Sequence, residues 1–591
     1  MEVKKLIEKG YFPKELPPSF YTKQFSDKLD EVKTEWETYE NSETTRIEGE
    51  SRSDWNRRKN IFYAKYSTSK CSEFSLSKGK LARRNLKIPN PKHYIKVTEL
   101  ISNNWQEIQN IFSSSKYSTS YPIEETNENK RAVRTLSKSV QDLRDTIIEK
   151  SINKLIQVKV DISKFYPTIY THTISWSFLG KSKAKEYFKK TRVEIDELIT
   201  AGDTDAKLYK FSDELDTAIR ACQDKQSIGI PIGPDTSHIV AEIIACRIDD
   251  EFKNRYSKIN VEACRYYDDY YLFVSTQDEA DLVIKGIQKI LNEYQLEVND
   301  KKVEIDEYPF AFENNWVTDL HRFEFSQTNL TNSIKHYFSI IWGIGNKNRS
   351  RTDWIFKYSL KTFEFGTTKI PKKSWKVFEN LLLKTALFQP AILDIVTRIL
   401  LSYQHFIDVE SKVKIKNLIE SVIKLHSPVN HSFEVTWALW LAKSFKISIE
   451  EEIANLVIET KDSTSILVLL CLAKVENLVQ GTPNFIAIES ELKDDILFSE
   501  HWLLAYEAVS KGWLIPSETN LIENNKFFKI LKDKNIEFFD CSRQMSTFIT
   551  KKDYIEEPQE DYVNGVPEKE IEKEDGKEEF DFRFMEISNL F

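Results

Sequence analysis

Two adjacent aspartates interrupt a strand-like stretch of the sequence, RYYDDYYLFVS at residues 265–275. Aspartate is a poor strand former, and two charged side chains among Tyr, Leu, Phe and Val are worse than one. The pattern therefore predicts two strands joined by a tight turn, with Asp268 and Asp269 at its tip. Such a tip is either a solvated surface turn or a place where carboxylates bind divalent metal ions.

The segments on either side of this hairpin predict an α+β fold. Residues 155–170 begin as a β-rich run, and a helix opens after Pro234 and ends within residues 246–256. An amphipathic helix within residues 279–299 runs into another strand. The order strand, helix, hairpin, helix, strand is typical of a sheet with helices on one face.

The hydrophobic period changes after about residue 335, where apolar residues recur every three or four positions. This pattern indicates stacked helix pairs, similar to a degenerate α-solenoid of the HEAT type. The last segment is acidic and poor in apolar clusters, which predicts a flexible tail. We expect four parts: a mostly helical extension (1–75), the α+β part (76–330), the helical part (331–550) and the acidic tail (551–591).

The net charge of −8 argues at first against a nucleic-acid partner, but the charge is unevenly distributed. Residues 551–591 carry 14 acidic and 6 basic residues, so the first 550 residues are neutral overall. Within them, residues 75–97 contain seven lysines and arginines and no acidic residue. This stretch is either a phosphate-binding surface or a solvated basic face.

The cysteines and the apolar runs bear on the location of the protein. Six cysteines are scattered without a CxxC pair, so neither a zinc ribbon nor a disulfide framework is indicated, and this usage fits a reducing cytosol. The N-terminus has no apolar signal core, and the most apolar run, residues 465–473, is too short to span a bilayer. We expect a soluble cytoplasmic protein with no membrane partner.

A third carboxylate makes the metal interpretation of the aspartate pair more specific. Asp161 ends an apolar strand 107 residues before Asp268. Mg²⁺ is a hard cation that prefers carboxylate and water ligands, and Mn²⁺ accepts the same ligands. Two such ions can activate a 3′-hydroxyl and stabilise a leaving pyrophosphate. Asp161, Asp268 and Asp269 would supply that arrangement.

These motifs resemble those of a reverse transcriptase, in the order that the family has them. VDISKFYPTIY (160–170) resembles motif A, and the resemblance implies that Asp161 is a metal ligand. It also implies that Tyr166 is the aromatic steric gate that screens the sugar 2′-hydroxyl. YYDD (266–269) resembles motif C, which implies that Asp268 and Asp269 complete the metal site. The α+β part would then be the fingers and palm of a right-hand polymerase.

Three further stretches resemble reverse transcriptase motifs. RRNLKIPNP (83–91) resembles the fingers motif, in which Arg84 matches the arginine that grips the incoming triphosphate. LEVNDKKVEI (296–305) resembles motif D, in which Lys302 matches the lysine near the triphosphate. Residues 226–245 resemble motif B, the turn and helix beneath the nascent base pair, and its implied substrate-binding residues are Gln226, Gly229, Pro231 and Gly233.

The stretch after motif A, residues 168–186, is unlike the retroviral form. It resembles the prokaryotic abortive-infection class of defence-associated reverse transcriptases, AbiK and its relatives, with the helical part standing in place of a thumb. The resemblance implies antiphage defence by DNA synthesis from dNTPs, untemplated and begun on a protein tyrosine, so that the DNA product stays covalently attached. It also implies closed homo-oligomers.

Two alternatives stay open at this point. Other defence relatives copy an RNA, so the chain could be an RNA-templated reverse transcriptase with a dedicated noncoding RNA. The palm could instead be vestigial and serve as a sensor of phage nucleic acid or protein. One observation argues against the sensor, because a palm that had lost catalysis would not need to keep all four candidate catalytic residues. The sequence has Asp161, Asp268, Asp269 and Lys302 together.

Overall fold

The computed structural model describes residues 1–79, 82–127, 130–137, 139–310, 315–326, 328–365 and 368–548. The predicted acidic tail, 551–591, lies outside the described residues. Within the described part of the chain, no helix is long and apolar enough to cross a membrane.

The chain begins with helices and two short antiparallel hairpins. The basic stretch of the sequence forms the first hairpin, in which Leu76 is paired with Arg84. The elements are α1 (Val3–Gly10), α2 (Lys23–Asp27), α3 (Leu29–Thr44), α4 (Arg52–Tyr66), β1 (Ser72–Lys78), β2 (Ala82–Ile88), α5 (Pro91–Asn103), α6 (Trp105–Ser114), β3 (Pro122–Glu124), β4 (Val133–Thr135) and α7 (Val140–Ser151).

The middle of the chain forms a four-stranded antiparallel sheet with the strand order β6-β7-β5-β8. Its long helix opens directly after Pro234, as the sequence predicts. The elements are β5 (Ile156–Asp161), α8 (Phe165–Thr168), α9 (Thr173–Leu179), α10 (Lys181–Phe188), α11 (Arg192–Thr200), α12 (Thr204–Ala221), α13 (Asp235–Arg255), β6 (Glu262–Tyr266), β7 (Asp269–Val274), α14 (Gln277–Glu293) and β8 (Glu304–Glu307).

The two faces of this sheet are covered differently. Side chains alternate between faces along a strand, so Val158, Val160 and Leu272 point into the core that the sheet shares with α13 and α14. The opposite face carries Asp161 and Asp269. The expectation of helices on one face is incomplete, because α7 packs against β6 and β7 on that opposite side.

The last strand also lies further along the chain than predicted. The amphipathic helix ends at Glu293, and Val298 makes only an isolated bridge to Ile162. The chain then turns through a 3-10 helix, Asp300–Lys302, before β8 begins at Glu304. The turn places Lys302 beside the end of β5.

The C-terminal part is helical, as the sequence predicts. Helices two places apart in the chain contact each other, so that one row runs through the even-numbered helices from 16 to 22 and a second through the odd-numbered helices from 17 to 25. The elements are α15 (Asn315–His321), α16 (Leu330–Lys347), α17 (Thr352–Phe365), α18 (Lys372–Phe388), α19 (Leu393–Ser402), α20 (Val409–His426), α21 (Ser432–Phe445), α22 (Glu451–Glu459), α23 (Ser463–Lys474), α24 (Ile486–Glu489), α25 (Trp502–Ser510), α26 (Leu521–Asn524) and α27 (Lys526–Asp533).

The N-terminal residues share one hydrophobic core with this helical part. Buried side chains of α1 to α5 and of the hairpin β1–β2 belong to the same cluster as those of the C-terminal helices. Three indole N–H groups of the helical part add hydrogen bonds: Trp437 to the Glu15 carbonyl at 2.9 Å, Trp440 to Ser19 Oγ at 3.1 Å and Trp502 to the Ile88 carbonyl at 3.1 Å. The hairpin is therefore anchored on the helical part, while the four domain boundaries stay a prediction.

The cysteines depart from expectation at one place. Cys471 and Cys541, whose Cα atoms are 6.0 Å apart, are paired as a disulfide across 70 residues of sequence. The sequence indicated no disulfide framework, and this single pair arises because α23 and the chain after α27 meet in the fold. The other four cysteines are buried and free.

Candidate active site

A cleft of about 2170 Å³ separates the sheet from the hairpin β1–β2 and the helical part. The ends of β5 and the β6–β7 turn form its floor. The hairpin and the loop before α13 form two sides. The first residues of α21, α23 and α25 close a further side, which the sequence did not predict.

The three predicted metal-binding aspartates meet at the floor of this cleft. Asp161, the last residue of β5, is directly opposite Asp269, the first residue of β7. Side chains at such positions have Cβ atoms about 4.5–5.5 Å apart. Asp268 occupies the β6–β7 turn and lines the cleft with Asp161, whereas Asp269 lies behind them. The predicted strand–turn–strand is confirmed, since β6 ends at Tyr266 and β7 begins at Asp269. The prediction that both aspartates lie at the tip is wrong for Asp269, which already belongs to a strand.

Crowding of these carboxylates makes their ionised forms costly. Burial, and then the charge of Asp161, raises the pKa of Asp268. Burial, and then the charge of Asp268, raises the pKa of Asp269 well above its ordinary value. Positive charge placed among the three carboxylates would offset this cost. The donor set, three carboxylates on two neighbouring strands, is one that fits hard divalent cations.

Asp161 is oriented by the segment that the sequence assigns to motif D. Lys302 Nζ donates to Asp161 Oδ2 at 2.6 Å. Asn299 donates to Asp161 Oδ1 at 2.8 Å through its side-chain amide and to the Asp161 carbonyl at 2.8 Å through its backbone N–H. Burial lowers the pKa of Lys302, but the hydrogen bond to Asp161 and the charge of Asp269 outweigh it and raise the pKa overall.

Sequence reasoning missed Asn299, although it stands within the quoted stretch LEVNDKKVEI. The feature that could have pointed to Asn299 is its position, one residue before the 3-10 turn that carries Lys302.

Arg265, which stabilises the β6–β7 turn, was also not predicted from the sequence. This arginine is fully buried on β6 and bonds two buried carboxylates of α13, Glu242 and Asp249. Its Nη1 also donates to the carbonyl of Tyr267 at 2.8 Å. Tyr267 has the left-handed backbone conformation (φ 52°) that the tight turn requires. The only sequence signal was an arginine inside an apolar strand.

The hairpin β1–β2 places positive charge across the cleft from the aspartates. Arg84 lines the cleft, and its charge acts on both Lys78 and Tyr166. Desolvation, and then the charges of Arg84 and Lys302, lowers the pKa of Lys78. The preceding residue, Arg83, instead forms a two-pronged ion pair with Glu434 of α21, at 2.6 and 2.7 Å. The ion pair fixes the hairpin against the helical part.

Tyr166 lies between the floor and the loop before α13. It follows the end of β5 by five residues, on the short helix α8, and lines the cleft. Burial, and then the charge of Asp268, raises the pKa of its hydroxyl. Its carbonyl accepts a hydrogen bond from the backbone N–H of Ile230 at 3.1 Å, which joins motif A to motif B.

Three of the four predicted motif B residues line the cleft, and the fourth lies in the core. Gln226, Gly229 and Gly233 line the cleft, but Pro231 points away from it into a small cavity next to α5. Gly229 (φ 85°) has no room for a side chain, because a Cβ would lie 3.0 Å from the Pro167 carbonyl oxygen. At Gly233 (φ 124°) a Cβ would lie 2.8 Å from the ring of Pro13.

Comparison with known proteins shows a family similarity across the residues of this site. Residues 90–313 match the family described as "Reverse transcriptase (RNA-dependent DNA polymerase)". The match covers less than half of the chain, and it includes the three aspartates and Lys302. The hairpin with Arg84 precedes the matched residues.

Two further comparisons complete this result. A solved structure of apo telomerase from Candida tropicalis is 13% identical in sequence, with 80% of this chain and 76% of that chain covered and a TM-score of 0.28. None of the curated proteins compared with the chain matches it.

Proposed function

We propose that the domain transfers nucleotides from dNTPs to a hydroxyl group, with Asp161, Asp268 and Asp269 as the ligands of Mg²⁺, or of Mn²⁺ in its place. The convergence of these carboxylates at the floor of a cleft carries the proposal. When bound, such ions activate the attacking hydroxyl and stabilise the leaving pyrophosphate. The aspartates hold the ions, and Asn299 and Lys302 hold Asp161 in position.

Basic side chains on two sides of the cleft would bind the triphosphate. Arg84 offers a planar guanidinium group suited to phosphate oxygens. Lys78 is two residues beyond Leu76, the residue that is paired with Arg84 in the hairpin. Lys302 approaches from the palm side. The three cations would neutralise the charge that develops on the phosphates, which is the main task of the protein in phosphoryl transfer.

Tyr166 would select deoxyribonucleotides. The Tyr166→Ala variant is expected to lose discrimination against ribonucleotides by roughly 10-fold to 200-fold, because the ring that excludes the 2′-hydroxyl is gone. Single-nucleotide incorporation of dNTPs and rNTPs measures this ratio. The matched control is Tyr166→Phe, which keeps the ring and should keep the discrimination. Equal ratios in Tyr166→Ala and the unchanged protein would contradict the gate.

The biological role that we propose is antiphage defence by abortive infection, in the cytoplasm and as a homo-oligomer. DNA synthesis in this proposal is untemplated and starts on a protein tyrosine. The support for this role is the resemblance of residues 168–186 to the abortive-infection class. These residues include α9 and most of α10, which follow the motif A stretch in the chain.

A second candidate is RNA-templated synthesis with a dedicated noncoding RNA. The description of the matched family as RNA-dependent DNA polymerases favours it. A silent sensor is disfavoured, because all three aspartates and the lysine that orients one of them come together.

An incorporation assay separates these candidates. Purified protein is incubated with Mg²⁺ and labelled dNTPs without template or primer, and the products are resolved before and after protease. We expect label that stays with the protein, survives RNase and is absent when EDTA replaces Mg²⁺. Label that appears only with added RNA and primer would establish templated synthesis instead. Binding of nucleic acid without incorporation under any divalent ion would refute polymerase activity.

A further inference from the structure

A cluster of metal-ligating side chains lies on the helical wall of the cleft, away from the aspartates. In the described part of the chain, the ligand atoms of His426, His431 and Glu434 all lie within 4.8 Å of one another. His426 ends α20, and His431 and Glu434 belong to the first turn of α21. A 3-10 turn followed by Asn430 in the left-handed conformation (φ 52°) reverses the chain between them.

The two imidazoles face each other through the same ring atom. His426 Nδ1 and His431 Nδ1 are 2.8 Å apart. One arrangement that holds two such nitrogens together is a single shared N–H, and another is a cation bound by both lone pairs. A neutral imidazole has one ring nitrogen with a lone pair that can bind a metal ion. Burial lowers the pKa of both imidazoles, which favours this form.

Glu434 brings a carboxylate whose position is already fixed. It is buried, and the guanidinium of Arg83 binds its two oxygens at 2.6 and 2.7 Å. A carboxylate oxygen that accepts one hydrogen bond keeps a second lone pair for a metal ion. Carboxylates that ligate metals are commonly held by such an outer hydrogen-bond partner, which orients them.

We propose that His426 Nδ1, His431 Nδ1 and the Glu434 carboxylate bind Zn²⁺, with water from the cleft as the fourth ligand. Two histidines, one glutamate and an open position form a donor set that zinc takes in tetrahedral geometry. Zinc bonds of about 2.0–2.2 Å place ligand atoms about 3.4 Å apart. The two Nδ1 atoms, 2.8 Å apart, must therefore move slightly apart to bind one ion. His431 lines the cleft, which gives water access to the fourth position.

The ion would connect three elements on the fingers side of the cleft, namely α20, α21 and the hairpin β1–β2. It would bind α20 and α21 directly and hold the hairpin through Arg83. Arg84, the next residue on β2, faces the cleft. Zinc would thus fix the position of the strand that presents Arg84 to the triphosphate, without itself touching the substrate.

Metal content of the whole chain tests the proposal independently of polymerase activity. The background is Asp161→Asn/Asp268→Asn/Asp269→Asn, which removes the catalytic carboxylates. After loading with Zn²⁺ and dialysis, we expect one zinc ion per chain. Adding His426→Gln/His431→Gln should reduce this to near zero, whereas His501→Gln should keep it, because His501 lines the same cleft outside the cluster.

Cobalt substitution gives a second readout that needs no histidine variant. Co²⁺ added to the background protein should produce the intense visible absorption of a tetrahedral site, and Zn²⁺ should abolish it. Less than one tenth of a zinc ion per chain, or equal zinc content with and without the two histidine substitutions, would overturn the proposal. In either case the two imidazoles would be a hydrogen-bonded pair only. Far-ultraviolet circular dichroism checks that each variant is folded.

Discussion

Replacing Asp268 with Asn is expected to lower nucleotide incorporation by about 10³-fold or more while the protein stays folded. The substitution keeps the shape of the side chain and removes a charged ligand from the floor of the cleft. A metal site contributes several kcal/mol of transition-state stabilisation, and about 4 kcal/mol corresponds to a factor of 10³ in rate. Steady-state incorporation of labelled dNTPs at saturating Mg²⁺ measures the loss.

Stability should not fall with this substitution. Burial and the charge of Asp161 raise the pKa of Asp268, which means that the ionised form costs folding free energy when no cation is present. Asp268→Asn should therefore unfold in EDTA at the same urea concentration as the unchanged protein, or at a higher one. A fall in the unfolding midpoint would mean that the carboxylate supports the fold instead of binding ions.

The matched control for this experiment is Asp300→Asn. Asp300 lines the same cleft and is exposed, but it stands outside the strand pair that joins Asp161 to Asp269. Incorporation should stay within about twofold of the unchanged protein. If Asp268→Asn and Asp300→Asn lose activity equally, the general negative charge of the cleft matters and the proposed ligand set is wrong.

The floor of the site could be predicted because its determinants are local. A charged pair in an apolar run disfavours a continuous strand, so a turn is predicted at Asp268 and Asp269. The observed turn is one residue earlier, at Tyr267 and Asp268. The exception is the pairing that places Asp161 opposite Asp269, because it joins strands that are distant in the sequence and was implied by the resemblance of the motifs. The helix after Pro234 and the helical period of the C-terminal part are equally local signals.

The walls of the cleft could not be predicted, because they depend on contacts between distant parts of the chain. Arg83 meets Glu434 across 351 residues, and Trp440 meets Ser19 across 421. Periodicity shows that a helix such as α21 is apolar on every side, yet it does not show what covers it. The N-terminal extension, which has no recognisable role in the sequence, packs in the core of the helical part.

Arg265→Met is expected to destabilise the protein by about 3–5 kcal/mol at pH 7.5. The long apolar side chain fills most of the space, but it leaves the carboxylates of Glu242 and Asp249 buried without their cation. Removing one partner of a buried ion pair costs much more than removing an exposed pair. Urea unfolding followed by tryptophan fluorescence measures the change in the free energy of unfolding.

The control is Arg247→Met on the same helix as the two acids. Arg247 is 30% exposed and pairs with Asp250 at 3.5 Å and Glu251 at 3.3 Å, so the same substitution should cost no more than about 1 kcal/mol. Arg265→Met/Glu242→Gln/Asp249→Asn should recover part of the stability that Arg265→Met loses. Equal costs at the two arginines would show that the buried network does not hold α13 against the strand β6.

The dependence of this loss on pH identifies its cause. In the unchanged protein, burial raises the pKa of Glu242, but the charge and hydrogen bonds of Arg265 outweigh it and lower the pKa overall. Stability from this pair is therefore complete above the unfolded pKa of about 4.3 and is lost only as the pH falls towards the folded value. Without Arg265, only the smaller effects of His238 and Ser118 oppose the burial of Glu242, so we expect its folded pKa to rise above the unfolded one. The variant should then gain stability relative to the unchanged protein between pH 7.5 and pH 5, as Glu242 takes up a proton. A loss of stability that stays constant over this pH range would mean that packing around the methionine causes it. The carboxylates of Glu242 and Asp249 would then not be the cause.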